Sequence, residues 1–313
     1  MYVIVSATNA YRPNPLLRFG DDIINANTIG HEIHITRPIL FILLSQGLID
    51  TSAIIVTRNN ERFFFYSNVF KNIIGYDDLP ANLDPDQLLD LTEANMWFHG
   101  MQHKMIETGL EKRFPIMTQI RTKGDVHFRT PYFNQLIRTM NYPDCSDIIQ
   151  GPFIVIHHRV VSYGESQNLC DTKHIIDVIQ KVDSDVQIII FSSIPLHDVS
   201  TNISVVHDIS TYASLMNHTL CKAVFTQFSG GGQLSQYCHN KKIFVYCKPY
   251  PFYPNTDIHH VITEANAPTN LYNKFDFKIF TDSNIYIFRN INAMLQNIHL
   301  YYVDVPCKRY LRI

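Results

Sequence analysis

Four short, continuously apolar segments in the second half constrain this fold most: "FIVIHH" from 153, "VQIIIFSS" from 186, "AVFTQFS" from 223 and "KIFVYC" from 242. Each has the length of a strand, and none alternates apolar with polar residues. Strands apolar on both sides are buried on both faces, the condition of a parallel sheet covered by helices. Helical patterns at about 171–181, 211–218 and 232–239, and a further strand "SVVHDIS" from 204, complete a strand–helix rhythm.

The first half reads as a looser version of the same layer fold. An apolar strand at 2–6 precedes a polar loop, a helix over 37–48 and strands "AIIVTRN" and "RFFFYS" at 53–59 and 62–67. Leu88, Leu89, Leu91, Met101, Met105 and Ile106 recur at roughly helical spacing and predict a helix across 85–113. Periodicity breaks in "TMNYPDCSDIIQGPF", so a boundary is expected near residue 148. A chain of 313 residues exceeds the roughly 100–200 residues of one domain. The expected fold class is therefore α/β, with two facing Rossmann-like domains and a central cleft at the carboxyl ends of both sheets. Residues 1–148 would form an acceptor-side domain and 149–284 a nucleotide-binding domain. The tail 285–313, with "IFRNINAMLQNIHLYYV", would be a helix crossing back to the first domain.

A net charge of −2 gives no general attraction for nucleic acid or an anionic membrane surface, so any phosphate site must be local. Cys145, Cys170, Cys221, Cys238, Cys247 and Cys307 form no CxxC pair and no zinc-ligand spacing; they read as reduced cysteines, many of them in the core. The amino terminus "MYVIVSATNAY" has no signal-peptide pattern, and "RPILFILLSQGLI" is too short to span a bilayer. A soluble, cytoplasmic protein is expected. Abundant Asn, Ile, Tyr and Lys point to an AT-rich coding genome, bacterial or of a large virus.

The chain has only 12 glycines, yet three are consecutive in "FTQFSGGGQLSQYC". Ser229, Gly230, Gly231, Gly232 and Gln233 follow a strand and enter a helical pattern. Such a junction either makes a tight turn or lets a ligand approach backbone N–H groups at a helix amino terminus. It matches neither the P-loop nor the GxGxxG dinucleotide pattern and follows a late strand, which excludes the commonest ATPase and NAD readings.

The order strand, "HDIS", helix "TYASLMNHTL", strand "AVFTQFSGGG", helix "QLSQYC" and strand "KIFVY" resembles the donor-binding half of glycosyltransferases with the GT-B fold. The resemblance covers roughly residues 150–250, and implies that Ser229–Gln233 meet the diphosphate or ribose of a nucleotide sugar. "VIHHR" is similar to the strand end of fucosyltransferase-type enzymes of this fold, implying that His157 and Arg159 face the donor diphosphate. The sequence continues as "VVSYGE" and departs from that family's pattern. A guanidinium suits a departing diphosphate; an exposed turn is the other reading of Arg159. "FGDDII" looks like the Gly-Asp at the start of the first helix in heptosyltransferase-like enzymes. That likeness implies that Asp21 is the base, with Arg18, Gly20 and Asp22 on the acceptor side. Asp21 equally suits the cap of a helix starting at 22 or 23.

Asp208 stands at another strand end, where it could bind ribose or base, with Ser210 or Thr211 capping the next helix. Glu264 and Asn266 could reach sugar hydroxyls. His99 and His103 have metal-pair spacing without a third ligand and read as one helix face. No Gly-x-Ser-x-Gly elbow and no convincing DxD motif occurs. The expectation is a glycosyltransferase (EC 2.4), metal-independent and inverting, with no permanently bound cofactor. Its donor would be a GDP-, UDP- or ADP-linked sugar, and its acceptor a glycan, lipid or protein. The alternatives are an epimerase or hydrolase of the same architecture, or a noncatalytic nucleotide-sugar-binding protein.

Overall fold

A computed structural model describes residues 1–7, 18–19, 22–23, 29, 32–98, 109–118, 140–158, 169–196, 200, 203–227, 232, 234–238, 241–246, 284–288, 290–302 and 311–312. The chain is α/β and divides into two compact units, Met1–Asn141 and Tyr142–Ile313.

In unit 1, strands β1 (Tyr2–Ile4), β4 (Ile54–Thr57), β5 (Asn72–Gly75) and β6 (Leu88–Asp90) form a parallel sheet in the order β5-β4-β1-β6. Between β1 and β4 come a short antiparallel ribbon, β2 (Arg18–Phe19) with β3 (Asp22–Ile23), a π-helical turn Glu32–Thr36, and helix α1 (Arg37–Ser45). The segment Ile39–Leu43 of α1 is buried on every side, as expected of a helix apolar all round. Pro38 stands in the first turn of α1, directly after the π-helical turn. A Schellman motif ends the helix. Gly47 at φ 67° donates to the Leu44 carbonyl at 3.0 Å, and Leu48 donates to that of Leu43 at 2.9 Å.

Three expectations for this unit are corrected. The segment expected as strand 62–67 lies largely in a 3-10 helix, Asn60–Phe65. Consecutive Phe64, Phe65 and Tyr66 are all buried, so no alternation sends one of them to solvent. Over the expected helix 85–113 the described residues form a 3-10 turn Pro85–Gln87, then β6, a 3-10 helix Leu91–Phe98 and helix α2 (Gly109–Arg113); residues 99–108, with Met101, Met105 and Ile106, lie outside the described residues. Pairing Val3 with Leu89 in the sheet overrides the helical spacing of the leucines. No helix starts at 22 or 23, because Asp22 pairs with Phe19 across the ribbon.

Unit 2 holds a seven-stranded sheet in the order β13-β12-β11-β10-β7-β8-β9, parallel throughout. Its strands are β7 (Phe153–His158), β8 (Gln187–Ser192), β9 (Ser204–Val206), β10 (Cys221–Gln227), β11 (Lys242–Tyr246), β12 (Asn284–Phe288) and β13 (Leu311–Arg312). Helices α3 (Leu169–Val182), α4 (Ile209–Asn217) and α5 (Ile291–Tyr302) cover it. One core joins Ile154 and Ile156 of β7, Ala223 and Phe225 of β10, Ile175 and Ile179 of α3, and Met294 and Ile298 of α5. On the other face, Phe191 of β8 stacks on Tyr212 of α4 with centroids 4.4 Å apart.

The tail differs from the expected single helix. Asn284–Phe288 is strand β12, paired with Lys242–Tyr246 in register, and the helix begins only at Ile291. The alternating aromatic and β-branched residues of "NIYIF" suit a strand. Helix α5 packs on α3, β11 and β12 within unit 2.

Candidate functional site

The strand order of unit 2 carries the main positional argument. From β7 the chain steps outward to β8 and β9, then returns to β10 on the opposite side of β7 and steps outward again. The seam between β7 and β10 is thus the point where strand order reverses. In open α/β sheets ligands bind at the carboxyl ends of the strands at such a point.

The residues ending β7 and β10 are unlike the rest of their strands. Four apolar residues of β7 give way to His157 and His158, and β10 ends in Thr226 and Gln227, all four buried. Buried polar groups need partners. The two histidines point to opposite faces because strand side chains alternate. His157 Nδ1 lies 3.0 Å from Thr226 Oγ1, across the seam where the two residues are paired in register. Its ring is flanked by Phe191 and Tyr212, at 5.4 and 5.5 Å. His158 Nδ1 lies 2.9 Å from Thr172 Oγ1, in the first turns of α3. The same sheet edge includes Ser192, whose carbonyl lies 2.7 Å from His207 Nδ1.

The sequence-predicted residues fare unevenly. His157 stands at the seam. Asp208 ends the link from β9 and caps α4: its Oδ2 accepts from Thr211 N at 2.7 Å, Thr211 Oγ1 at 2.8 Å and Ser210 Oγ at 2.5 Å. The capping expected of Ser210 or Thr211 therefore belongs to Asp208, and those hydroxyls serve its carboxylate. Burial alone would raise the Asp208 pKa, but these donors outweigh it and hold the carboxyl below its usual value.

Gly232 is buried, and its carbonyl accepts from Ser235 Oγ at 2.6 Å. Of the helix expected over 232–239, the described residues are Gly232, which is helical, a 3-10 turn, Leu234–Tyr237, and Cys238. Asp21, Gly20, Arg159, Ser229, Gly230, Gly231 and Gln233 lie outside the described residues, as do His99, His103, Glu264 and Asn266. For Arg18 and Asp22 the structure gives the ribbon backbone alone.

Sequence reasoning missed Thr226, Gln227 and Thr172. The available signal was the ending of buried apolar strands in polar pairs, "HH" and "TQ".

Unit 1 has its own polar cluster at the carboxyl ends of β1 and β4, which the sequence reading also missed. Buried Glu32 takes Arg62 on Oε2, and on Oε1 both Thr57 Oγ1 at 2.9 Å and Tyr66 OH at 2.8 Å. Arg62 also donates to Ser6 Oγ at 2.8 Å. Burial first, and then the Glu32 charge, push the Tyr66 phenol well above its usual pKa, so it donates at neutral pH. With both oxygens of Glu32 engaged, this cluster ties the π-helical turn to the sheet.

Among the described residues no group of three or more His, Cys, Asp or Glu is placed to hold a metal ion. No helix among them is long and apolar enough to cross a membrane. No family model and no curated protein matches the chain. Among solved structures, the E. coli heptosyltransferase WaaC with ADP is similar at 12% identity and a TM-score of 0.46, over 96% of this chain and 100% of that one.

Proposed function

We propose that the chain is a glycosyltransferase of GT-B type, with unit 2 holding a nucleotide-diphosphate sugar and unit 1 presenting the acceptor hydroxyl. The observation that carries this reading is the His157–Thr226 pair across the β7/β10 seam, where strand order reverses. Arg159 follows His158 directly in sequence, and Ser229–Gln233 begin two residues after Gln227. Both segments thus extend from the two strand ends that form the seam.

In the proposed reaction the acceptor oxygen bonds to the anomeric carbon as the bond from that carbon to the diphosphate oxygen breaks. Asp21 takes the acceptor proton, and the nucleoside diphosphate leaves with the bonding pair. Arg159 and backbone N–H groups of the glycine loop neutralise the charge that develops on it, in place of a divalent cation. The donor carries GDP, UDP or ADP.

A thermal-shift panel of GDP, UDP, ADP and CMP with their sugars tests the reading, and a selective rise with one nucleotide is expected. No shift with any of them overturns it. Arg159→Ala is expected to lower donor affinity and turnover together. Asp21→Asn is expected to abolish transfer while leaving donor affinity intact, and undiminished transfer removes that residue from the role of base. Free sugar released without acceptor would indicate a hydrolase at the same site.

A further inference from the structure

Gln227 closes β10 at the carboxyl end of the seam and is only 3% exposed. Strand alternation turns it away from Thr226, to the face of Phe225 and of Tyr246, its partner in register. Its aliphatic stem therefore stands beside the core shared with α3 and α5. The polar side chains nearest it in the seam, His157, His158 and Thr226, all have partners. Among the described residues the side-chain amide of Gln227 makes no hydrogen bond, and neither of its polar atoms is wholly sealed from solvent. The amide is thus the part of the residue that opens at the edge of the sheet. Leaving its two N–H donors and its carbonyl unmet away from bulk water is unfavourable. A phosphate oxygen only accepts, so it would meet the N–H side and leave the carbonyl unmet. A hydroxyl donates as well as accepts, so two neighbouring hydroxyls meet both sides of an amide at once.

We infer that the Gln227 amide binds a pair of hydroxyls of the nucleotide sugar, its N–H donating to one oxygen and its carbonyl accepting from the other. The inference rests on the proposed function and deepens it. It assigns hydroxyl recognition to the end of β10 and leaves the diphosphate to Arg159 and to the glycine loop, which begins two residues further on. Ribose and the transferred sugar both carry such a pair.

The test uses the full chain and the variant Gln227→Met, which keeps the length of the stem and removes the amide. An amide that no protein group meets weakens the unliganded fold, so the variant should melt about 2–4 °C higher than the wild type. A lower melting temperature would show that the amide serves the fold and would overturn the inference. For the ligand, ADP, GDP and UDP are compared by calorimetry with their 2′,3′-dideoxy forms and with their hexose-bearing forms. One comparison should favour the ligand with more hydroxyls by about tenfold in the wild type, the worth of about one hydrogen bond. That preference should vanish in Gln227→Met. The comparison that shows the effect identifies the hydroxyls as those of ribose or of the transferred sugar. In 1H–15N spectra, the one side-chain NH2 pair that is missing from Gln227→Met belongs to Gln227, and in the wild type it should move further with the favoured ligand than with its counterpart. Nucleotide binding with equal preferences in the wild type and Gln227→Met, or an NH2 pair that no ligand moves, overturns the inference while leaving the proposed function intact. Failure of every nucleotide to bind overturns the proposed function and, with it, the assigned hydroxyls.

Discussion

At Glu32 one carboxylate gathers a threonine from the end of β4, an arginine from the 3-10 helix that follows it and a tyrosine at that helix's end. Removing one partner of a buried ion pair leaves the other charge uncompensated, which costs far more than the net worth of the pair. Glu32→Ala is expected to destabilise unit 1 by about 3–5 kcal/mol in urea unfolding. Thr57→Val deletes one donor to an oxygen that still receives Tyr66 OH, and should cost about 1.5–3 kcal/mol. Equal losses in the two variants would show that the charge itself contributes nothing. Asp208 makes a second case at this scale, since Asp208→Ala removes the cap of α4 and should cost about 1 kcal/mol. Its folded carboxyl binds a proton less tightly than the unfolded one, so the cap contributes fully above the unperturbed pKa of 3.8 and is lost as pH falls below it. Acid titration of stability should therefore be flatter in Asp208→Asn than in the wild type. The sequence showed the "HDIST" strand end but not which of its oxygens would cap. Asp, Ser and Thr are all good caps, and only the backbone path selects one. Glu32 was invisible for a related reason: its partners lie 25, 30 and 34 residues away.

The elements of unit 2 were the most legible. Buried parallel strands leave continuous apolar runs, and β7, β8, β10 and β11 each contain one. Where the sequence misled, a short segment could satisfy two periods. Leucines near 88 suit a helix face, yet the space beside β1 makes them a strand. At the tail, "NIYIF" merges with the helical pattern that follows it, and only its register with β11 separates the two. Helix α5 owes its place to packing as well as to its own pattern. Met294 and Ile298 are fully buried in the core shared with α3, and Lys242 Nζ donates to the Tyr302 carbonyl at 2.7 Å. Tyr302 OH donates to Asp183 Oδ2 at 2.9 Å, tying the end of α5 to the end of α3. Ile298→Ala should cost about 2–5 kcal/mol by denaturant unfolding, from lost transfer energy and the cavity left behind. Tyr302→Phe removes a hydrogen bond at a partly exposed site and should cost about 1.5 kcal/mol or less. A larger loss for Tyr302→Phe than for Ile298→Ala would mean that the polar tie, not the core, holds α5.

At the scale of the molecule, each unit has a parallel sheet whose carboxyl edge carries polar side chains, but the two edges differ in kind. Glu32 and Arg62 form a closed ion pair at the edge in unit 1, whereas β7 and β10 in unit 2 end in the uncharged side chains of Thr226 and Gln227 beside two histidines. A closed ion pair holds a fold together. Uncharged donors and acceptors at a reversal of strand order suit a ligand that brings its own charge. This contrast predicts where a ligand acts. A nucleotide that binds only the folded state stabilises it by about 2.7 kcal/mol at a hundred times its Kd. Local openings that disrupt its site become rarer by the same linkage, so amide exchange there slows. In hydrogen-exchange mass spectrometry of the full chain with saturating nucleotide, slowing should be greatest in peptides covering 153–158 and 221–227. Peptides covering β4 and β5, remote in sequence from the segments proposed to bind donor, should change least. Greatest slowing in β4 and β5 would move the nucleotide to unit 1 and reverse the assignment of the two units.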